Sequence, residues 1–376
     1  MKAVATSFRV TWRGWVFLAL TVAVGYAAVH KGNNLLFVVF ATLAGLFLTS
    51  AALTWITGRR LDIRRTLPES VHANESFAYV LRVENGKRLL PAFCVKVEDS
   101  VAWGDRPAPV PPTPVYVPAA APREAVRAAA YATAYQRGWA KFSHLTVTAE
   151  FPPGLAVSRR TFALEDQMLV YPREGVIQRR VLNPYLSRVE FLDLVATATS
   201  RGSEDFAGIR DYRPGDNPRW IHWRLSARAP GRTLVKEFED TRVRDAMILL
   251  DTHIPNPTDA RRASRLERAV SFSAALAEAL LAESYLVRFR AYGPDPVEVL
   301  LEPRKGALAE LQYALATLRP SRAHGPAALA RDHDPSRDEV YFVLRISDDE
   351  VVLPAPKERI VEIHADDMRS MMYYAS

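Results

Sequence analysis

The residues best suited to chemistry lie between Gly208 and Arg228, where Arg210, Arg213, Arg219, Arg224 and Arg228 are interleaved with Tyr212, Trp220, His222 and Trp223. Guanidinium groups grip carboxylates and phosphates in a fork and stack on aromatic rings, so this segment has the makings of a surface that recognises a partner protein or a phosphate-bearing ligand. The same residues could instead form a structural clamp that seats one domain on another, with Trp223 buried. In that case truncating Trp223 to alanine would cost about 3–5 kcal/mol. Across residues 201–244 ten Lys/Arg face seven Asp/Glu, enough to neutralise most of the arginines locally. Pro214-Gly215-Asp216-Asn217-Pro218 reads as a rigid turn, because proline fixes φ, glycine allows positive φ, and Asp and Asn bond nearby backbone amides. His222 is expected to be packed or hydrogen-bonded and not catalytic.

The rest of the chain shows no motif for a reaction. There is no Gly-rich Walker loop, no Gly-x-Gly-x-x-Gly and no His-Glu-x-x-His. The single cysteine, Cys94, rules out an internal disulfide and thiolate metal sites and fits a reducing compartment. Of the eight histidines only Asp332-His333-Asp334 is clustered with acids, in a loop flanked by Pro and Arg where solvated charge is the simpler explanation. The expectation is a protein that is not an enzyme.

The elements around the arginine segment fall into two soluble domains behind an anchor. Beyond Ala246, strands alternate with helices: Ala246–Leu250, Leu286–Tyr292, Val297–Leu301, Glu339–Ile346 and Arg359–His364 read as strands, and Ser264–Glu283 and Ala307–Leu318 as helices. That pattern implies an α/β sheet, mostly parallel, with Val297–Leu301 antiparallel at an edge. Between Leu61 and Pro172 the period is two: Phe77–Val83, Phe93–Val97 and Phe142–Ala149 alternate between turn residues, which implies an antiparallel β-sandwich of the Ig-like kind. The stretch from Pro107 to Pro122 is proline-rich and reads as an extended, exposed loop.

At the N-terminus no charged side chain occurs from Gly14 to His30 or from Gly32 to Gly58. Roughly 20 apolar residues cross a bilayer core, so Trp15–Val29 and Leu35–Ile56 read as a transmembrane hairpin with a polar turn at 30–34. Lys2, Arg9 and Arg13 precede it, and Arg59, Arg60, Arg64 and Arg65 follow it against Asp62 alone. Both flanks, and the body behind them, are therefore expected on the cytoplasmic side of the inner membrane. The rival reading, a signal peptide cleaved near Ala27 or Ala28, is disfavoured because a second long apolar run follows at once. Residues 1–65 account for the whole net charge of +7, with eight Lys/Arg and one Asp, and the remaining 41 Lys/Arg and 41 Asp/Glu cancel. The basic balance belongs to the membrane flanks and attracts anionic lipid; no nucleic-acid partner is expected. The expected layout is thus a tail at 1–13, the hairpin at 14–57, the β domain at 58–172, a connecting region at 173–244 and the α/β domain at 245–376.

Arg210, Tyr212, Pro214-Gly215-Asp216, Arg219, Ile221, Trp223 and Ser226-Ala227-Arg228 resemble the signature of the bacterial family known as domain of unknown function 58. Arg13-Gly14-Trp15, Asn33-Asn34-Leu35 and Leu169-Val170-Tyr171-Pro172 resemble its other landmarks, so the resemblance runs over nearly the whole chain. Phe151-Pro152-Pro153-Gly154-Leu155 departs slightly from the family's usual Pro-Phe-Gly. The resemblance implies a von Willebrand factor A-like C-terminal domain and association with a MoxR-type AAA+ ATPase in assembling or activating other complexes.

Von Willebrand factor A domains often hold Mg²⁺ through Asp-x-Ser-x-Ser. Here Asp251 is followed by Thr252-His253-Ile254-Pro255, so both serines are missing; Asp251, Thr252 and Asp348 would make at most a degenerate Mg²⁺ site. Otherwise Asp251 caps a turn, no cofactor is bound, and Asp251→Ala should be nearly silent. Two functions remain: a membrane-anchored adaptor, or a metal- or phosphate-dependent ligand-binding protein or enzyme of cell-envelope metabolism.

Overall fold

The computed structural model describes residues 3–103, 106–178, 205–213, 218–239, 244–304, 306–324, 339–348 and 357–374, with a few single positions besides; Asp332, His333 and Asp334 lie outside them. The chain divides into two compact units, Met1–Arg173 and Glu174–Ser376.

In the first unit, strand β1 (Ala3–Val10) leads into helix α1 (Trp12–Lys31), followed by helix α2 (Asn34–Thr57). The polar residues of the turn act as caps. Gly32, at φ +54°, ends α1, and the Asn33 side chain accepts from Leu35 N at 2.9 Å to start α2. Gly14, Thr21 and Ala28, seven residues apart, are the buried positions of α1. A core helix of a soluble protein would be mostly buried. Here only 17% and 6% of the most apolar windows are buried, and Trp15, Leu20, Val22, Val29, Leu35, Val38 and Leu48 face outward. Both helices are long and apolar enough to cross a membrane.

After the hairpin come β2 (Leu61–Thr66), β3 (Val71–His72), β4 (Ser76–Asn85), β5 (Ala92–Trp103), β6 (Arg106–Pro107), β7 (Val115–Ala120), β8 (Ala125–Thr133), β9 (Gly138–Glu150) and β10 (Ala156–Tyr171). Strands β2-β4-β8 form one antiparallel sheet. The larger sheet runs β1-β10-β9-β5-β6, with β7 also on β5 and β3 briefly parallel to β10. Alternation makes the core between them: Ile63, Tyr79, Leu81 and Val83 from the small sheet meet Val97, Phe142, Leu145, Val147 and Phe162 from the large one. One ion-pair network joins the layers. Arg65, fully buried on β2, donates to Asp99 of β5 at 2.8 and 2.7 Å and to Asp166 of β10 at 2.6 Å, while Tyr79 donates to Asp99 at 3.1 Å.

Two expectations change here. Residues 3–10, read as a tail, are strand β1, which pairs antiparallel with β10 from Ala3↔Phe162 to Val10↔Ala156. The proline-rich stretch is not all loop, because it contains β6 and β7. Val115, Val117 and Ala120 are buried, and the ladder with β5 is interrupted at Pro118, which has no N–H to contribute.

The ends of the hairpin are fastened to the sandwich. Thr11 N donates to Leu155 O at 3.0 Å and Thr11 Oγ1 to Gly154 O at 2.7 Å; Phe151 N donates to Thr54 Oγ1 at 3.2 Å. Lys87 Nζ donates to the last carbonyl of α2, Thr57 O, at 3.0 Å and to Arg59 O, just beyond the helix, at 3.3 Å.

The second unit comprises β11 (Gly175–Ile177), β12 (Asp205–Asp211), α3 (Trp223–Ser226), β13 (Leu234–Glu239), β14 (Arg244–Leu250), α4 (Ala260–Ala282), β15 (Tyr285–Tyr292), β16 (Pro296–Leu301), α5 (Ala307–Thr317), β17 (Val340–Arg345), β18 (Ile360–His364), α6 (Met368–Met371) and β19 (Met372–Tyr374). Its main sheet has the order β16-β15-β14-β17-β18, parallel except for β16 at the edge, as the sequence pattern expects. Strand β14 is buried on both faces. Ala246, Ile248 and Leu250 share a core with Leu266, Ala269, Leu276 and Leu280 of α4, and Met247 and Leu249 pack with Tyr341 and Val343 in a second cluster. Helix α4 starts at Asp259, whose carboxylate accepts from Arg261 N and Arg262 N at 3.1 and 3.0 Å.

The tightest point of the hairpin's fastening is Gly14, where an added Cβ would collide with the Leu155 carbonyl oxygen. Gly14→Ala is expected to lower stability by roughly 1–3 kcal/mol, because backbone sits where the methyl group must go. Thermal unfolding of the full chain in detergent, read by circular dichroism, checks this; an unchanged midpoint rules out the close approach.

Candidate functional site

Strands β12 and β13 pair antiparallel as a ribbon, and the segment between them carries the arginines and aromatics. The ribbon places two ion pairs. Arg210 reaches along its own loop to grip Asp216 with both terminal nitrogens, at 2.7 and 2.8 Å, and Arg213 N donates to the same carboxylate at 2.7 Å. Arg232 grips Asp211 across the ribbon, at 2.9 and 2.5 Å. The Arg210 fork and the Arg213 amide hold the Asp216 carboxyl down to a pKa of about 2, and the Arg232 fork holds Asp211 below the ordinary carboxylate range. Pro214, Gly215 and Asn217 lie outside the described residues.

The second half of the segment is pinned to β13. Ile221 bridges to Val235, His222 N donates to Leu234 O at 2.8 Å, and the Ser226 hydroxyl accepts from Leu234 N at 2.8 Å. His222 takes a structural part: its Nδ1 accepts from Leu225 N at 3.4 Å, capping α3. Ala227 and Arg228 continue that turn through backbone bonds to Trp223 O and Leu225 O. Two roles found here had no advance signal in the sequence. Arg232 lies 21 positions from Asp211, and Ser226 acts through its hydroxyl on a strand eight residues away.

With the backbone held internally, the large rings point outward. Trp223 is 69% exposed, Trp220 41% and Tyr212 38%. Arg213, Arg224 and Arg228 are also exposed, and Arg224 and Arg228 have no acidic partner among the described residues.

The second candidate set, Asp251, Thr252 and Asp348, lies where β14 and β17 end, the point at which the strand order of the sheet reverses. Asp251 is 1% exposed and all its contacts are with donors: Oδ1 accepts from His253 N at 2.9 Å, and Oδ2 accepts from Ser347 N at 3.1 Å, Ser347 Oγ at 2.7 Å and Ile346 N at 3.3 Å. The carboxylate staples the carboxyl ends of two neighbouring strands. Thr252 Oγ1 donates to Tyr292 O. The Asp348 side chain is 86% exposed and faces Arg265 at 3.8 Å and His364 at 3.5 Å. The three side chains thus have separate partners, and no group of three or more His, Cys, Asp or Glu suited to a metal occurs among the described residues.

Two outcomes are expected. Asp251→Ala strands three backbone donors in a buried site and should cost about 2–4 kcal/mol, correcting the expectation of a nearly silent change; chemical denaturation measures it. Arg210→Ala should return the Asp216 pKa from about 2 toward 3.8, as read by carboxyl NMR titration. Because the folded pKa is the lower one, the pair's stabilisation of the loop is complete above about pH 4 and fades as pH falls through about 2. A titration midpoint unmoved by the substitution removes Arg210 as its cause.

Comparison with curated proteins gives no match. Two solved structures show distant likeness. The CARDB domain of a Pyrococcus furiosus protein, in complex with di-metal ions, is 16% identical, with 29% of this chain and 91% of that one covered at a TM-score of 0.20. The sporulation control protein Spo0M of Bacillus subtilis is 12% identical, with 41% and 58% covered at a TM-score of 0.18. Neither likeness is close enough to carry an argument about fold or function. Residues 208–345, which hold both the arginine ribbon and the centre of the main sheet, match the family described as protein of unknown function DUF58.

Proposed function

We propose that the chain is a membrane-anchored adaptor that offers the arginine and tryptophan surface of its ribbon to a partner protein in the cytoplasm. The observation that carries this reading is the contrast within one short segment: Arg210–Asp216 and Arg232–Asp211 fix the backbone, while Trp220, Trp223, Tyr212, Arg224 and Arg228 stay exposed. Tryptophan, tyrosine and arginine are the residue types that dominate binding energy at protein interfaces, and a prefixed backbone lowers the entropy cost of docking.

The anchor supports the placement. Strand β1 precedes the hairpin and β10 follows it, and the two pair in one sheet, so both ends of a membrane-crossing hairpin emerge on the same side. Arg9, Arg13, Arg59 and Arg60 flank those ends, and this basic charge supports the cytoplasmic side for them. The mostly parallel sheet of the second unit, with helices α4 and α5 between its strands, is read as von Willebrand factor A-like and the sandwich as Ig-like. The partner implied by the resemblance is a MoxR-type AAA+ ATPase.

The test is capture from detergent-solubilised membranes. The full chain should retain a hexameric ATPase, and Trp223→Ala should lose about tenfold or more in retention, the effect of truncating an interface anchor. Since Trp223 is exposed, the same change should leave stability within about 0.5 kcal/mol. Equal capture by both forms removes Trp223 from the interface, and failure of the unaltered chain to capture any ATPase overturns the partner.

A further inference from the structure

The end of the sandwich where α2 enters collects cations without collecting acids. Lys87 is 6% exposed and spends its amine on two carbonyls of the helix end, Thr57 O and Arg59 O. Arg160 and Ser158 lie on the inward face of β10 with Ala156 and Phe162. Gly58, the cap of α2, leaves them room: a Cβ there would sit 3.4 Å from both Arg160 Nε and Ser158 Oγ. Both of these atoms are buried and lack a hydrogen-bond partner. The cations influence one another. Burial, then the charge of Arg160, pushes the Lys87 amine down to about 8, and burial, then the charge of Arg59, lowers Arg160. No carboxylate among the described residues pairs with Arg59, Arg60, Lys87 or Arg160. A cluster of like charges with an orphaned hydroxyl and an orphaned guanidinium N–H is uncomfortable alone and becomes favourable around an anion.

The surroundings say which anion. The cluster adjoins the last turn of an apolar helix, and Arg59 stacks on Trp55 at 3.3 Å, an aromatic at the level where headgroups begin. The loop from Gly86 to Leu90 is tied to the same place by Gly86 N donating to Arg60 O at 2.8 Å. Its tip carries Leu89, 88% exposed, and Leu90, 41% exposed, beside the exposed Arg88. Leucines held beside the end of a membrane helix have the acyl region as their natural solvent.

We propose that this end of the sandwich binds the phosphate of an anionic phospholipid through Arg59, Lys87, Arg160 and Ser158, while Leu89 and Leu90 dip into the bilayer beside it. The inference rests on the membrane-spanning reading of α1 and α2 and is independent of any partner ATPase. Bound lipid would complete the polar contacts of the hairpin's fastening and hold the sandwich against the membrane surface.

The experiment uses the full chain in vesicles and nanodiscs of phosphatidylcholine, alone or mixed with phosphatidylglycerol. Flotation with vesicles tests the spanning reading first, and a chain that does not float overturns both ideas. For a chain that floats, native mass spectrometry of protein released from mixed nanodiscs should show phosphatidylglycerol retained over phosphatidylcholine by about fivefold or more, and Arg160→Gln should remove most of that preference. Arg59→Gln, on an exposed residue, should weaken it too, so that misfolding of the Arg160 variant cannot decide the outcome. Equal retention of the two lipids overturns the site. Thermal stabilisation in detergent by inorganic phosphate that matches that by phosphatidylglycerol overturns the assignment to lipid. Leu89→Trp should give indole fluorescence that brominated acyl chains quench, and an unquenched indole overturns the insertion of the loop.

Discussion

The first unit depends on one junction, where an apolar hairpin charged only at its ends and its turn meets the sandwich. Strand β1 and the Thr11–Leu155, Thr11–Gly154 and Phe151–Thr54 hydrogen bonds cross it. A helix leaves its last carbonyls without partners, and Lys87 supplies a donor for the last one of α2. The close passage of Gly14 by Leu155 follows from the same need to bring backbone to backbone. The anchor and the sandwich are therefore a single body, joined by sheet pairing on one side and by helix capping on the other.

Arginine serves three purposes in this chain, separated by burial and partner. Arg65 and Arg265 are buried and satisfied by carboxylates, Arg65 between the two sheets and Arg265 by Asp366 at 2.5 Å beside the end of β17. Such pairs cost desolvation and repay it through geometry, so they fix register more than they add stability. Arg210 and Arg232 are partly exposed and hold a loop in shape. Arg59 and Arg160 pair with no acid among the described residues. Composition alone cannot sort these roles, because the body beyond residue 65 is electrically neutral overall.

What was legible in the sequence followed from period and from gaps in charge. The two apolar helices stand out because no charge interrupts them, β4 because every second residue is buried, and β5 and β9 because burial alternates over parts of their length. Helix α4 and the doubly buried β14 were equally plain, and the antiparallel edge strand β16 was anticipated from its short connection. What was missed depended on distant partners. Ala3–Val10 is built of small and polar residues and becomes a strand only because β10 lies beside it. Strand β7 was hidden by its own proline. At the candidate sites the sequence left Trp223 open between a buried clamp and an exposed recognition surface, because a tryptophan has the same size in both. Asp251 was placed correctly at a strand end, but the Ser347 hydroxyl and amide that occupy its carboxylate come from a strand nearly a hundred residues later.

Because β1 lies ahead of the hairpin in the chain, removing the two greasy helices also removes the outermost strand of the large sheet. A fragment cut after Thr57 to gain solubility would leave the backbone of Ala156–Phe162 uncovered, a bare edge ready to recruit the same strand from a neighbouring molecule. Filaments or swapped dimers grown from such a fragment would reflect the cut and not the native assembly.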